Sequence, residues 1–308
     1  MRKALICGVS GQDGAYLAQL LIGKGYQVWG TSRDAQVASF ANLERLGIKQ
    51  KVRLLSMAQS DFRSVLNTLS RSEPDEIYFL SGQSSVGLSF DQPAESIESV
   101  VYGTLNLLEA VRFLGRTVRV YHASSSECFG DVVEGERACE MTPFRPRSPY
   151  GVAKASAHWL IANYREAYGL YCCNGILFNH ESPRRGETFV TRKITRAVAR
   201  IQAGAQKDLY LGNLESIRDW GYAAEYVEGM WRMLQVDEPD DFVLATGVGY
   251  TIKDFLEASF GHVGLDWQKY VKFDERYLRP TEVDALIGDA SKANEKLGWK
   301  ASVDGLQL

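Results

Sequence analysis

A glycine-rich turn within the first fourteen residues restricts the fold of this chain more than any other stretch. A short apolar run, Ala4-Leu5-Ile6-Cys7, leads into Gly8-Val9-Ser10-Gly11-Gln12-Asp13-Gly14, and an amphipathic helix follows through Tyr16, Leu17, Leu20 and Leu21 to Gly23. Glycines at this spacing let the chain turn tightly out of a strand and let backbone amides and the helix start approach a pyrophosphate. Such turns join many strands to helices, so the GxxGxxG spacing alone is modest evidence. Its place between a first strand and a first helix makes it a strong one.

The rhythm set there continues. A second strand at 26–30 ends at Thr31-Ser32-Arg33-Asp34, where folds of this kind read an adenosine ribose. Arg33 suits a 2′-phosphate through charge-assisted hydrogen bonds of about 1.5–3 kcal/mol. Asp34 suits a free 2′-hydroxyl, so NADP and NAD both stay open at this position. Strands read at 52–55, 76–80, 117–123 and 170–178, with helices near 62–69 and 101–113, predict an α/β fold with a Rossmann-type, doubly wound parallel sheet. Gln83-Ser84-Ser85-Val86 follows a strand end and faces either the cofactor or solvent as a plain polar turn.

The strand at 117–123 ends in Ser124-Ser125-Ser126, followed by Glu127. Downstream, Ser148 is a good N-cap and Pro149 a good first helical residue, so Tyr150 falls in a first turn and Lys154 one turn later on the same face. A phenol beside a cation, with a hydroxyl at a strand end, is a proton-transfer device. The ammonium favours the phenolate, so a group that titrates near ~10 accepts a proton closer to neutrality. A Tyr followed four residues later by Lys occurs about once by chance in a chain this long. Here only Tyr150 has that lysine, and it follows the hydroxyl-rich strand end.

Composition excludes several classes. Lys+Arg 35 against Asp+Glu 38 leaves a net charge of −3, which argues against nucleic acid and anionic membranes as partners. The five cysteines make no CxxC and the four histidines are scattered, so neither a metal site nor a disulfide framework is expected, as in a reducing cytoplasm. No apolar run approaches the ~20 residues of a membrane span, and Gly8 and Gly11 break the run after Arg2-Lys3 too early for a signal peptide. Cations in the second half sit beside Gly, Pro and aromatics, in Asn179-His180-Glu181-Ser182-Pro183-Arg184-Arg185-Gly186, Arg218-Asp219-Trp220-Gly221 and Arg279-Pro280-Thr281-Glu282-Val283-Asp284. In an acidic chain that grouping reads as phosphate ligands. Taken singly, Arg184, Arg192 or Arg276 reads as solvated surface charge.

These motifs, with Thr191-Arg192-Lys193, cover nearly the whole chain. The sequence resembles the extended short-chain dehydrogenase/reductases and, within them, the GDP-mannose 4,6-dehydratases. The resemblance implies an internal redox cycle. Tyr150, supported by Lys154, removes the C4 hydroxyl proton of GDP-mannose as hydride leaves C4; Glu127 takes the C5 proton and helps the C6 hydroxyl depart; hydride returns to C6. Ser125 stands where most relatives have Thr. NADP would lie against Gly8, Gly11, Gln12, Asp13, Gly14, Arg33, Tyr150, Lys154, His180 and Arg185. The substrate would lie against Ser84, Ser85, Asn179, Val190, Lys193, Arg218, Arg279 and Glu282, with no metal.

The implied domains are an NADP-binding one at 1–178 with segments near 210–250 and 281–292, and a smaller, discontinuous nucleotide-sugar-binding one at 179–209 and 251–308. A homodimer or homotetramer is expected. A GDP-sugar 4-epimerase, a dehydratase of a relative such as a GDP-heptose, and an idle NADP-sensing binding protein are the competing readings. The chain departs from the family at Arg33-Asp34-Ala35, where paired arginines precede a serine, at Ser56-Met57 in place of Gly-Asp, and at Thr188 in place of Asn. It stops at Leu308, where relatives continue with a helix, as a trimmed chain would.

Overall fold

The computed structural model describes residues 1–132 and 135–308. Its main sheet uses β1 (Lys3–Cys7), β2 (Gln27–Ser32), β3 (Val52–Ser56), β4 (Glu76–Phe79), β5 (Arg119–Ser125) and β6 (Cys172–Leu177). Three strands that pair elsewhere follow, β7 (Asn179–Glu181), β8 (Leu209–Leu211) and β9 (Ile217–Tyr222), before β10 (Phe242–Leu244) completes the seven. The order β10-β6-β5-β4-β1-β2-β3 is parallel throughout. Between β1 and β4 the winding direction reverses, and the carboxyl ends of those strands open a crevice.

Both faces of the sheet are covered, as the continuous apolar strands demand. Helices Gln12–Gly23 and Ala223–Met233 pack one face through Leu17, Leu21, Tyr226 and Met230. Helices Phe62–Ser72, Gly103–Leu114 and Pro149–Tyr168 cover the other through Leu69, Leu107 and Ile161.

A second, smaller assembly follows in the chain. β9 is its spine: β7 and β13 (Ala285–Leu286) pair with it in parallel and β11 (Gly249–Thr251) antiparallel. β8 pairs with β12 (Val271–Phe273). Helices Val190–Gln202 and Ile252–His262 enclose a separate core of Ile194, Val198, Trp220, Leu256 and Phe260.

Two elements differ from their sequence reading. β5 does not end at Ala123; it pairs on to Ser125, opposite Leu177, so two of the three serines belong to the strand. The helix read at 101–113 is preceded without a break by Pro93–Ile97 and a wide π turn, Glu98–Tyr102. Such a turn frees a carbonyl from the helical ladder, and the Ser99 carbonyl accepts from Gln59 Nε2 at 2.8 Å.

Candidate active site

The glycine turn fits a dinucleotide pyrophosphate on its own geometry. Gly8 has φ +89°, and a Cβ there would lie 3.1 Å from Ser81 Cα. A Cβ on Gly14 would lie 2.4 Å from the Gly8 carbonyl oxygen, so helix and turn are in backbone contact. Gly11 caps the helix with extended backbone and no side chain over the first amides, leaving them open to an anion.

Beside the turn, several residues expected at the cofactor are committed to one another. Gln12 Nε2 donates to the His180 carbonyl at 3.0 Å and its Oε1 accepts from Ser182 at 2.8 Å. His180 Nε2 meets Asp13 Oδ2 at 2.9 Å while Nδ1 meets the Phe178 carbonyl at 2.7 Å. Both imidazole nitrogens face acceptors, an arrangement that favours the protonated ring. Burial opposes charge on either partner; their mutual attraction outweighs it, holding Asp13 below and His180 above its ordinary range. Arg185 stacks over Phe189 at 3.7 Å and pairs with Glu181 at 3.1 Å. This cluster fastens the helix start to β7.

The proton-transfer residues come together at the carboxyl end of β5. Beyond Ser125 the chain makes a short turn, Ser126–Cys128, whose Glu127 amide donates to Ser125 Oγ at 3.3 Å. Ser148 accepts from the Gly151 amide at 3.0 Å and caps Pro149–Tyr168, with Pro149 in the first turn, as the sequence implies. A Cβ on Gly151 would stand 2.8 Å from the Glu127 carbonyl oxygen. The helix that carries Tyr150 and Lys154 therefore starts directly on the turn that carries Glu127. Ser125, Glu127, Tyr150 and Lys154 are all buried.

The electrostatics of the pair differ from the sequence expectation. Lys154 Nζ donates to the Ala123 carbonyl at 2.7 Å and lies 5.9 Å from the centre of the Tyr150 ring. Burial pushes the Tyr150 phenol above its ordinary range, with the Ser125 hydroxyl pulling it down. The same burial lowers Lys154 to about 8. Desolvation penalises both charged forms, and the ammonium makes its hydrogen bond to the backbone and not to the phenol.

On the substrate side, Arg218, nearly fully buried, pairs through Nη2 with Glu282 Oε1 at 3.2 Å. Arg279 Nη1 lies 3.5 Å from the same oxygen and 3.8 Å from Glu127 Oε1. Four expected residues thus form a chain of alternating charge from β9 to the catalytic turn. Asn179 opens β7, half-buried, and Val190 opens the helix Val190–Gln202. Lys193 is placed differently: its ammonium donates to the Tyr210 carbonyl at 2.6 Å and sits 3.3 Å over the Tyr277 ring. It lines a cavity of about 210 Å³ with Arg196, Arg200 and Tyr210. Ser85 caps Val86–Asp91 by accepting from Leu88, and Ser84 is exposed. Arg33 stands exposed at the end of β2.

Sequence reasoning missed a buried network behind β5. Ser124 Oγ lies 3.3 Å from His158 Nδ1, His158 Nε2 3.5 Å from Asp241, and Asp241 pairs with Arg165 at 2.8 Å. Asn174 donates to Asp241 at 3.0 Å, and its Oδ1 faces His122 Nδ1 at 2.9 Å. No local spacing announces these contacts.

The profile of the family described as GDP-mannose 4,6 dehydratase matches residues 5–308. The chain belongs to that family. Among GDP-mannose 4,6 dehydratases, it is 52% identical to GDP-mannose 4,6 dehydratase 2 of Arabidopsis thaliana, over 97% of this chain and 83% of the relative. It is 45% identical to GDP-mannose 4,6-dehydratase of Vibrio cholerae, over 98% and 90%. Solved structures share the family's fold. The UDP-glucose 4-epimerase of Thermus thermophilus, in complex with NAD, superposes with TM-score 0.87 at 25% identity, over 99% of this chain and 97% of that one. The dTDP-glucose 4,6-dehydratase of Bacillus anthracis does so with TM-score 0.85 at 17% identity, over 100% and 94%.

Proposed function

We propose that this enzyme converts GDP-mannose to GDP-4-keto-6-deoxy-mannose with loss of water, using a resident NADP. The observation that carries the reading is the buried carboxylate of Glu127, set on the same turn as Ser125 and under the helix that bears Tyr150. An epimerase needs no acid-base group for C5; an elimination does.

The dinucleotide would lie along the open amides of Gly11–Gly14 and across Tyr150 and Lys154. Its nicotinamide would supply a hydride acceptor for C4 and a donor for C6, without net consumption. Tyr150 takes the C4 hydroxyl proton, Ser125 donates a hydrogen bond to the C4 oxygen, and Lys154 supplies positive charge beside the phenol. Glu127 removes the C5 proton, acidified by the C4 ketone of the sugar, and returns a proton to the departing C6 hydroxyl; as hydride would return to C6, C5 takes up one proton, which balances the one Tyr150 accepted from the C4 hydroxyl. Asn179, Val190, Lys193, Arg218, Arg279 and Glu282 would hold the nucleotide diphosphate, and Ser84 and Ser85 would border the sugar. Gln12, Asp13 and His180 keep the turn fixed to β7, so their part in cofactor binding is to hold its cradle in shape.

Incubating the purified protein with GDP-mannose, without added reductant, tests the reaction. A keto-sugar lighter by one water is expected; an isomer of unchanged mass would assign an epimerase, and no conversion an idle binding protein. Arg33 favours NADP, and tighter binding of NAD in parallel titrations would reverse that choice. A homodimer or homotetramer would use the exposed face Val152, Ser156 and Trp159 of Pro149–Tyr168, which sedimentation would report. The five free thiols suit a reducing cytoplasm.

A further inference from the structure

The loop after β2 is closed on itself. Asp34 Oδ1 accepts from the Gln36 amide at 2.8 Å, and Ser56 Oγ accepts from the Ala35 amide at 2.9 Å. Asp34 therefore spends an oxygen on its own turn, and Arg33 is left facing outward. Its guanidinium reaches Glu95 Oε1 at 3.3 Å, the two side chains 84% and 42% exposed. Glu95 lies on the short helix Pro93–Ile97, which follows β4. Arg33 opens its loop on the β2 side of the winding reversal and Glu95 stands on the β4 side. Their ion pair spans the two lips of the crevice.

An exposed pair of this kind contributes little to stability. Its interest lies in what must happen when the crevice fills. Resting on the reading of Arg33 as a 2′-phosphate ligand, we propose that Glu95 is a specificity-determining residue that competes for Arg33 and tempers the enzyme's preference for the 2′-phosphorylated cofactor. A 2′-phosphate takes the guanidinium by charge-assisted, bidentate hydrogen bonds. Glu95 is then left without its cation, facing a dianion, and that juxtaposition opposes binding. A free 2′-hydroxyl leaves the pair intact.

Calorimetric titration of the full chain with adenosine 2′,5′-bisphosphate and with adenosine 5′-monophosphate tests this without relying on turnover. Glu95→Gln should tighten the bisphosphate about two- to fivefold, the range of an exposed ion pair, and leave the monophosphate essentially unchanged. Unchanged bisphosphate affinity, or equal shifts for both probes, would overturn the proposal. Arg33→Ala separates the two failures. If it weakens the bisphosphate selectively while Glu95→Gln does nothing, only the role of Glu95 falls; if it weakens neither probe, the reading of Arg33 falls with it.

Discussion

Glu127 is the residue on which the proposed elimination turns. Replacement by Gln keeps its volume and its place under Gly151 but removes the proton acceptor, so water loss should slow by about 10²–10⁴, as measured by the mass of the sugar product over time. A 6-deoxy product formed at the normal rate would take the role away. His122 makes a different test. Burial lowers it to about 3, from an ordinary value of 6.5. The unfolded chain then binds a proton between pH 6.5 and 3 that the folded chain refuses, and stability is lost as pH falls through that window. By pH 5 the loss should reach about 2 kcal/mol. Urea titrations should show the midpoint falling less steeply with acid in His122→Gln, and parallel curves for the two proteins would exclude burial of a neutral imidazole. At this scale the Tyr150 and Lys154 pair was legible because capping and helical spacing are local, whereas the choice of Ser125 among three serines came with the family resemblance. The His122, Asn174, Asp241 and His158 network was not, since its members meet only across three strands and a helix.

Among the elements, the glycine turn has little room for change. A methyl on Gly14 would meet the Gly8 carbonyl oxygen at 2.4 Å and Val9 Cα at 2.7 Å, backbone atoms that cannot swing aside. Gly14→Ala should cost roughly 1–3 kcal/mol, as overpacking does, and thermal unfolding should show it. Gly23→Ala, where nothing lies within 4 Å, is the control. Most strands and helices of the main sheet were readable because each carries enough apolar residues to show its period; β10, only three residues long, and the helix Ala223–Met233 were not read from the sequence. The extra length of β5 was not, because its last two residues are serines whose place in the ladder is set by β6. The short strands around β9 were hidden for a related reason. With two or three residues each, β7, β11 and β13 are too brief to display alternation, and their partners are distant in sequence.

At the level of the whole molecule, the two assemblies meet through the alternating charges of Arg218, Glu282, Arg279 and Glu127. Arg218 sits on β9 and Glu127 in the turn just beyond β5, so these side chains run from one assembly to the other. If a diphosphate takes Arg218 and Arg279 as ligands, it withdraws Arg279 from Glu127 and leaves that carboxylate without its cation at the moment a sugar arrives above it. The outer handle of the substrate then acts as an arming signal for the elimination. Mannose 1-phosphate, which keeps the sugar and one phosphate but lacks the second phosphate and the nucleoside, should be turned over more slowly even at saturation, a deficit in kcat and not only in KM. Steady-state kinetics on the two compounds would reveal it, and equal kcat values would show that the enzyme fires without being armed.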